Sequence, residues 1–155
     1  MARLAITADH NGVALKAALV RHLSEAGHEI HDLGVHGPDV VDYPALCVAV
    51  CERVVHGLAD VGLVVGGTGQ GEVIACNKVH GIRAGVAYSR LAVEISRGNN
   101  DANVMVLGAK TTTTSDATQW VDLWLATPFK GGVHAERVEQ IRRLELSVGR
   151  GSQGE

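Results

Sequence analysis

The chain has 155 residues, of which 46% are hydrophobic and only 20% are charged, and its formal net charge is -3. This composition predicts one folded domain with a sizeable core and argues against disorder over most of the length. The slightly negative charge and the lack of a basic run argue against a nucleic-acid partner. No signal peptide or membrane-spanning apolar stretch is apparent, so we expect a cytoplasmic protein without a membrane partner.

Short apolar strands alternate with amphipathic helices along the chain. Strands are predicted at about 3–8, 29–33, 61–65, 83–87 and 104–107, and helices at about 13–26, 43–57, 72–79, 89–97, 115–126 and 134–148. This alternation predicts a single α/β domain over residues 1–148, with a parallel sheet of about five strands and helices on both faces. Residues 149–155 are polar and glycine-rich, and we expect a flexible C-terminal tail there.

The helix patterns also predict which side chains face the core. On the first helix the buried face is predicted to carry Leu15, Ala18, Leu19, His22 and Ala26. Asp42 is a candidate cap for the second helix. Cys47 and Cys51 on that helix, like Cys76, are interpreted as reduced thiols packed in the core, because a metal or redox pair favours tighter C-x-x-C spacing.

Polar residues follow four of the predicted strands. They are Asp9-His10, the segment 66–72, Tyr88-Ser89-Arg90 and Lys110. Because ligands of parallel sheets bind at the carboxyl ends of the strands, these residues are predicted to form a site. The segment 99–103 precedes its strand instead, so this rule does not place it at the same edge.

The glycine-rich turn from Gly66 to Gly71, followed directly by Glu72, is the clearest functional signal. It joins an apolar strand to a helix, and its glycines allow a close backbone approach and free N–H groups for an anion or a sugar oxygen. The spacing matches neither the dinucleotide motif nor the P-loop. We favour a small anionic or polyhydroxy ligand, while a nucleotide and a purely structural turn stay open. Glu72 is a candidate acid/base group.

The remaining polar segments each have a second interpretation. Asp9 is either a helix cap or a site residue, and the segment 99–103 is either an ordinary turn or part of the site. His134 and Arg137 lie at a helix start, where the helix dipole does not favour cations. Either they are placed there to bind an anion, or they belong to a solvated face of the helix. A metal site at His28, His31 and His36 is disfavoured, because no matching carboxylate set accompanies these histidines.

Taken together, these segments resemble the ribose-5-phosphate isomerase B family, which also includes the galactose-6-phosphate isomerase subunits. The resemblance runs from about Leu4 to Leu144. It is carried by the ordered motifs Ala8-Asp9-His10-Asn11-Gly12 with Leu15-Lys16, Asp42-Tyr43-Pro44, Gly67-Thr68-Gly69-Gln70-Gly71, Asn77-Lys78-Val79 with Gly81-Ile82-Arg83-Ala84, Asn100-Asp101-Ala102-Asn103-Val104, and Gly131-Gly132 with His134 and Arg137.

The resemblance implies a Rossmann-like, doubly wound fold and an aldose–ketose isomerase that needs no metal or other cofactor. It implies homodimers or homotetramers whose sites lie across a subunit interface, and a proton transfer between C1 and C2 through a cis-enediolate. By position, the implied catalytic residues are Glu72, Thr68 and Asn99. The implied substrate-binding residues are Asp9, His10, Tyr43, Gly67, Gly69, Gln70, Gly71 and Asn100, and the implied phosphate-binding residues are Lys110, His134 and Arg137.

The chain departs from the family pattern at four positions. Many members carry a cysteine base where this chain has Gly66, and a second branch uses a glutamate that Glu72 matches. The family's ring-opening histidine is Asn99 here, and two phosphate-binding arginines are replaced by Lys110 and Val133. A lysine still binds phosphate but loses the bidentate fork.

These departures leave the substrate open. We expect ribose 5-phosphate and ribulose 5-phosphate as the pair interconverted. A tetrose or hexose phosphate is the alternative, since a tetrose 4-phosphate cannot close a furanose ring and needs no ring opening. A non-catalytic sugar-phosphate-binding subunit is the third possibility, because groups that the family uses are missing.

Overall fold

The alternation of strands and helices is the one predicted from sequence. The computed structural model describes residues 1–148; the predicted tail at 149–155 lies outside them. The strands are β1 Arg3–Ala8, β2 Glu29–Asp32, β3 Val61–Gly66, β4 Ala84–Val86 and β5 Val104–Gly108. The helices are α1 Val13–Glu25, α2 Tyr43–Val55, α3 Gln70–Cys76, α4 Arg90–Gly98, α5 Thr114–Ala126 and α6 Val133–Val148.

All strand pairs are parallel, and the strand order is β2-β1-β3-β5-β4. The chain moves outward from β1 to β2, then returns to β3 on the other side of β1. The strand order therefore reverses between β1 and β3. Ala8 lies opposite Val65, and Gly66 lies opposite Gly108, so the carboxyl ends of the central strands meet at one edge. Such a switch point is where open parallel sheets bind their ligands.

Two apolar cores cover the two faces of the sheet. One contains Leu19 and Leu23 of α1 with Val121 and Trp124 of α5. The other contains the three thiols of Cys47, Cys51 and Cys76, packed against strand residues. All three are free and buried, as predicted for core cysteines. The structure thus confirms a sheet with helices on both faces. Across residues 1–148, no helix has the length and apolar character needed to span a membrane.

The buried face of α1 differs from the prediction. Ala26 is exposed and follows the helix as its C-cap, whereas Leu23 and Lys16 are buried. Only 1% of Lys16 is exposed, and its ammonium group donates a hydrogen bond to the Asp32 carboxylate. A charged group is stable in a core only when a partner of opposite charge satisfies it. That partner comes from β2, so the helical pattern alone did not reveal it.

Two helix starts also differ in detail. Asp42 occupies the N-cap position of α2, but its side chain makes no capping hydrogen bond. Helix α3 begins at Gln70, two residues earlier than predicted, because Gly69 takes a left-handed conformation with φ +84 and ends the turn. The earlier start places Glu72 within the first turn of α3, where its side chain points back toward the end of β3.

Candidate active site

The glycine turn is held against the sheet by backbone hydrogen bonds from the segment after β5. The N–H of Ala109 donates to the carbonyl of Gly66 at 2.8 Å, and that of Lys110 donates to Gly67 at 2.8 Å. The turn also packs closely on the end of β5, because a Cβ added at Gly108 would lie 2.7 Å from the Thr68 carbonyl oxygen. The loop is therefore a fixed part of the carboxyl edge.

The Glu72 carboxyl group lies beside the end of β3, and only 4% of the residue is exposed. A Cβ added at Gly66 would overlap this carboxyl group. The space that a side chain at position 66 would take is thus already filled by Glu72. A base at position 66 and a base at position 72 would reach the same place in the site, so glycine at 66 and glutamate at 72 belong together.

Replacing Gly66 with alanine is expected to abolish most turnover while the protein still folds. The added methyl group must displace the Glu72 carboxyl, and if Glu72 acts as the base, this misplacement costs about 10²-fold in rate. Steady-state kinetics on the purified variant would measure the loss, with circular dichroism as the check on folding. Turnover within about twofold of the parent would show that the Glu72 carboxyl does not have to stay at this position.

Burial raises the pKa of Glu72 above its ordinary value, and the nearby Asp9 carboxylate raises it further. Only 6% of Asp9 is exposed. A buried carboxyl group is hard to ionise because it has lost its water, and a neighbouring negative charge adds to that cost. The carboxylate that forms here is a stronger base than one in solvent, which suits proton abstraction from carbon.

The other residues predicted for this edge surround the turn. The Tyr43 ring packs against Gly71, and a Cβ at Gly67 would lie 3.7 Å from the Lys110 side chain. The N–H of Gln70 donates to the Thr68 hydroxyl at 3.4 Å, and both residues are exposed. His10 is half-buried, and its ring accepts from the Val41 N–H at 3.4 Å. The structure therefore brings together one group of predicted site residues: Asp9, His10, Tyr43, Gly67, Thr68, Gly69, Gln70, Gly71, Glu72 and Lys110.

Asn11 also lies at this edge, although the sequence did not predict it as a site residue. Its backbone N–H donates to one Asp9 oxygen at 2.8 Å and its amide nitrogen lies 3.4 Å from the other. Its amide also lies 3.4 Å from a Cβ built at Gly67. The signal was present in sequence, because an Asp two residues before an Asn in a turn is suited to this local bonding.

The remaining predicted site residues lie at the opposite edge of the sheet. Asn99 follows α4 and precedes β5, and its side-chain oxygen accepts a hydrogen bond from Lys130 at 2.8 Å. The Lys130 backbone N–H also donates to the Gly98 carbonyl. Because α6 begins three residues after Lys130, this bond brings the start of α6 to the same edge. A five-residue strand is roughly 16 Å long. Asn99, Asn100, His134 and Arg137 are therefore separated from Glu72 of the same chain by about the length of a strand.

A small network fixes this second group. Asp101 has φ +47, which is uncommon for a residue other than glycine. Its carboxylate pairs with Arg83 and with Arg97, each at 3.1 Å. Arg83 also donates to the Asn100 carbonyl at 3.2 Å. These contacts hold the loop before β5 in one shape and so fix the positions of Asn99 and Asn100.

His28, His31 and His36 each have a different partner in the structure. His28 accepts a hydrogen bond from the Ala2 N–H, His31 pairs with Glu29, and His36 lies near Asp32. In residues 1–148, no group of three or more His, Cys, Asp or Glu side chains is placed to hold a metal ion.

Comparison with known proteins identifies the family. Residues 4–141 match the family model described as Ribose/Galactose Isomerase. The chain belongs to this family. The predicted resemblance is thereby confirmed, and so is the assignment to the aldose–ketose isomerases.

Relatives in the family match over nearly the whole chain. Ribose-5-phosphate isomerase B of Escherichia coli is 39% identical over 145 residues, which cover 94% of this chain and 97% of the relative. The protein of the same name from Mycobacterium tuberculosis is 37% identical, with 92% and 90% covered.

Solved structures of the family share the fold. Clostridium thermocellum ribose-5-phosphate isomerase B superposes with a TM-score of 0.92 at 41% identity, covering 94% of this chain and 99% of that one. The Mycoplasma genitalium enzyme, whose structure contains bound ribulose 5-phosphate, gives a TM-score of 0.89 at 33% identity, covering 93% and 96%. These likenesses confirm the predicted Rossmann-like fold.

Proposed function

We propose that the chain interconverts ribose 5-phosphate and ribulose 5-phosphate, with Glu72 as the base. The observation that carries the proposal is the buried Glu72 carboxyl beside the glycine turn, at the switch point of the sheet. The names of the relatives support this substrate pair.

The proposed reaction is a proton transfer between C1 and C2. Ionised Glu72 removes the proton from one carbon, which leaves a cis-enediolate, and returns it to the other carbon. A raised pKa favours both steps, because the carboxylate is a better acceptor and its acid form stays populated long enough to give the proton back. The Thr68 hydroxyl and the N–H groups of the glycine turn would donate hydrogen bonds to the enediolate oxygens. Asp9, His10 and Tyr43 line the same edge.

The proposed working unit is a homodimer or homotetramer in which two chains complete each site. Within one chain, His134, Arg137, Asn99 and Asn100 lie a strand's length from Glu72, which supports a site in which a second copy supplies them. Helix α6 supports this assembly, since none of its residues is buried and Val133, Ile141 and Leu144 are exposed. An open cavity of about 640 Å³ separates α6 from the start of β4. The second copy's His134 and Arg137, with Lys110 of the first, would bind the phosphate.

A four-carbon sugar phosphate is the second candidate substrate. The Asn99 side chain accepts a hydrogen bond from Lys130 and carries no group that exchanges a proton near neutral pH. Opening a furanose ring requires proton transfer to the ring oxygen. A tetrose 4-phosphate has its O4 blocked by phosphate and stays open, so it places no such demand on position 99.

The test is turnover by the purified protein on ribose 5-phosphate, erythrose 4-phosphate, allose 6-phosphate and galactose 6-phosphate. We expect ribose 5-phosphate to give the highest kcat/KM. A higher kcat/KM on erythrose 4-phosphate would show that the substrate is a four-carbon sugar phosphate. A higher kcat/KM on either hexose phosphate would show that the substrate is a hexose phosphate. Binding without turnover on all four would overturn the proposal in favour of a sugar-phosphate-binding subunit.

A further inference from the structure

The exposed Lys130 side chain is held against the end of α4 along its whole length. Its backbone N–H donates to the Gly98 carbonyl at 2.9 Å. Its methylene stem packs on Gly98, since a Cβ added there would lie 3.4 Å from Cε of Lys130. Its ammonium group donates to Oδ1 of Asn99 at 2.8 Å. Because the stem is packed and both ends are bonded, the ammonium group stays beside Asn99.

The contact with Lys130 fixes the direction in which the Asn99 amide faces. An ammonium group carries only donors, so the amide atom that meets it must be the oxygen. The Asn99 backbone is fixed as well, because its N–H donates to the Ile95 carbonyl at 2.9 Å. In the part of the chain that the structure describes, the bond from Lys130 is the only hydrogen bond of the Asn99 side chain. The amide NH₂ group is therefore available to donate to a ligand.

The same edge separates two kinds of donor. Neither Lys130 nor Arg137 forms an ion pair with a carboxylate of residues 1–148. Cations match a phosphate group, because hydrogen bonds between charged partners are the strongest ones. The Asn99 amide is neutral, so it matches a neutral acceptor such as a hydroxyl, ring or carbonyl oxygen of a sugar.

We propose that Lys130 is a positioning residue for the sugar: it holds the Asn99 oxygen, so that the Asn99 NH₂ group donates a hydrogen bond to a neutral oxygen of the bound substrate. This role rests on the proposed isomerase function and on the proposed assembly, in which Asn99 of one copy completes the site of the other. It brings Lys130 into the site and gives Asn99 a donor role that needs no proton exchange.

The test is the Lys130→Met variant, assayed for kcat and KM on ribose 5-phosphate and for competitive inhibition by inorganic phosphate. Methionine keeps an unbranched stem and the backbone N–H, but its side chain cannot donate to Asn99. We expect kcat/KM to fall about fivefold, the usual effect of losing one hydrogen bond. The inhibition constant of phosphate should stay within about twofold of the parent's, because salt screens an exposed charge that does not touch the anion.

Matched variants separate positioning from a general effect of charge. Arg21→Met removes an exposed positive charge from α1 and should change neither value. Lys130→Arg keeps a side chain that only donates, so it should restore most of kcat/KM. Combining Lys130→Met with Asn99→Ala should lower kcat/KM no further than Asn99→Ala alone, because Lys130 acts through Asn99.

An inhibition constant for phosphate that rises as kcat/KM falls would show that Lys130 binds the phosphate itself, and would overturn the inference. Losses that multiply in the double variant would also overturn it, since Lys130 would then act independently of Asn99. Unchanged kinetics of Lys130→Met beside an active parent would reject this inference alone. If the parent turns over none of the sugar phosphates tested, the proposed function fails and this role falls with it.

Discussion

Replacing Glu72 with glutamine is expected to lower kcat by about 10²–10⁴-fold, which is the usual contribution of a positioned base. Glutamine has nearly the same shape, so it keeps the contact with Gly66 but cannot accept a proton from carbon. KM should change much less than kcat, because the phosphate and hydroxyl contacts remain. The measurement is steady-state turnover on ribose 5-phosphate, with exchange of the C2 hydrogen for solvent deuterium as a direct readout of proton abstraction. A variant that still exchanges this hydrogen at the parent's rate would remove Glu72 from the base role.

The same variant is predicted to differ from the parent in how its free energy of unfolding depends on pH, which also shows that it is folded. The pKa of Glu72 is raised in the folded protein above its ordinary value of 4.5. The folded state therefore binds more protons than the unfolded state between 4.5 and the raised pKa, so the free energy of unfolding falls as pH rises through that window. Glu72→Gln lacks this loss and should be more stable than the parent above the window. Urea unfolding at a series of pH values from 4.5 upward checks the sign, because the stability of the variant relative to the parent should grow as the pH rises.

Mixing two inactive variants is expected to restore activity. Glu72→Gln damages the predicted site residues at the carboxyl ends of the strands, which we call the carboxyl-edge group. Arg137→Ala damages the second group of predicted site residues, at the opposite edge of the sheet. In a dimer with sites shared between chains, a mixed dimer has one site with both defects and one site with neither. Random pairing makes half of the dimers mixed, so the mixture should show about a quarter of the parent's activity. Co-expression of the two variants, followed by kinetic assay of the purified mixture, measures it.

The control for this experiment pairs two defects in the same group. Glu72→Gln with Gly66→Ala leaves no site intact in any combination, so this mixture should remain inactive. Recovery in the control would mean that the assay detects something other than shared sites. No recovery in the test mixture, with mixed dimers demonstrated by their tags, would show that each chain completes its own site and would contradict the proposed assembly.

The carboxyl-edge group was predictable from sequence for a simple reason. The end of a buried parallel strand is a fixed place in the fold, so polar residues that directly follow such strands must converge. Asp9, the glycine turn and Lys110 met this condition, and the structure places them together. Asn99 and Asn100 did not, because they precede β5, and the structure puts them at the other edge.

Other features depend on contacts between distant segments and left no local signal. Lys16 lies three and seven positions before the buried Leu19 and Leu23 of α1, but its charge argues against burial, and Asp32 on β2 supplies the partner that makes the burial possible. The overlap between position 66 and the Glu72 carboxyl arises because α3 begins at Gln70, which turns the side chain back over the strand. The hydrogen bond from Lys130 to Asn99 joins residues 31 positions apart.

By itself, the sequence determined the alternation of strands and helices, the family, and the glycine turn that precedes Glu72, because these follow from local periodicity and from ordered motifs. The tertiary structure alone decided that the predicted site residues form two groups at opposite edges, and that the Glu72 carboxyl fills the space beside Gly66. Those outcomes depend on strand order and on distances across the sheet, and a linear pattern of residue types contains neither.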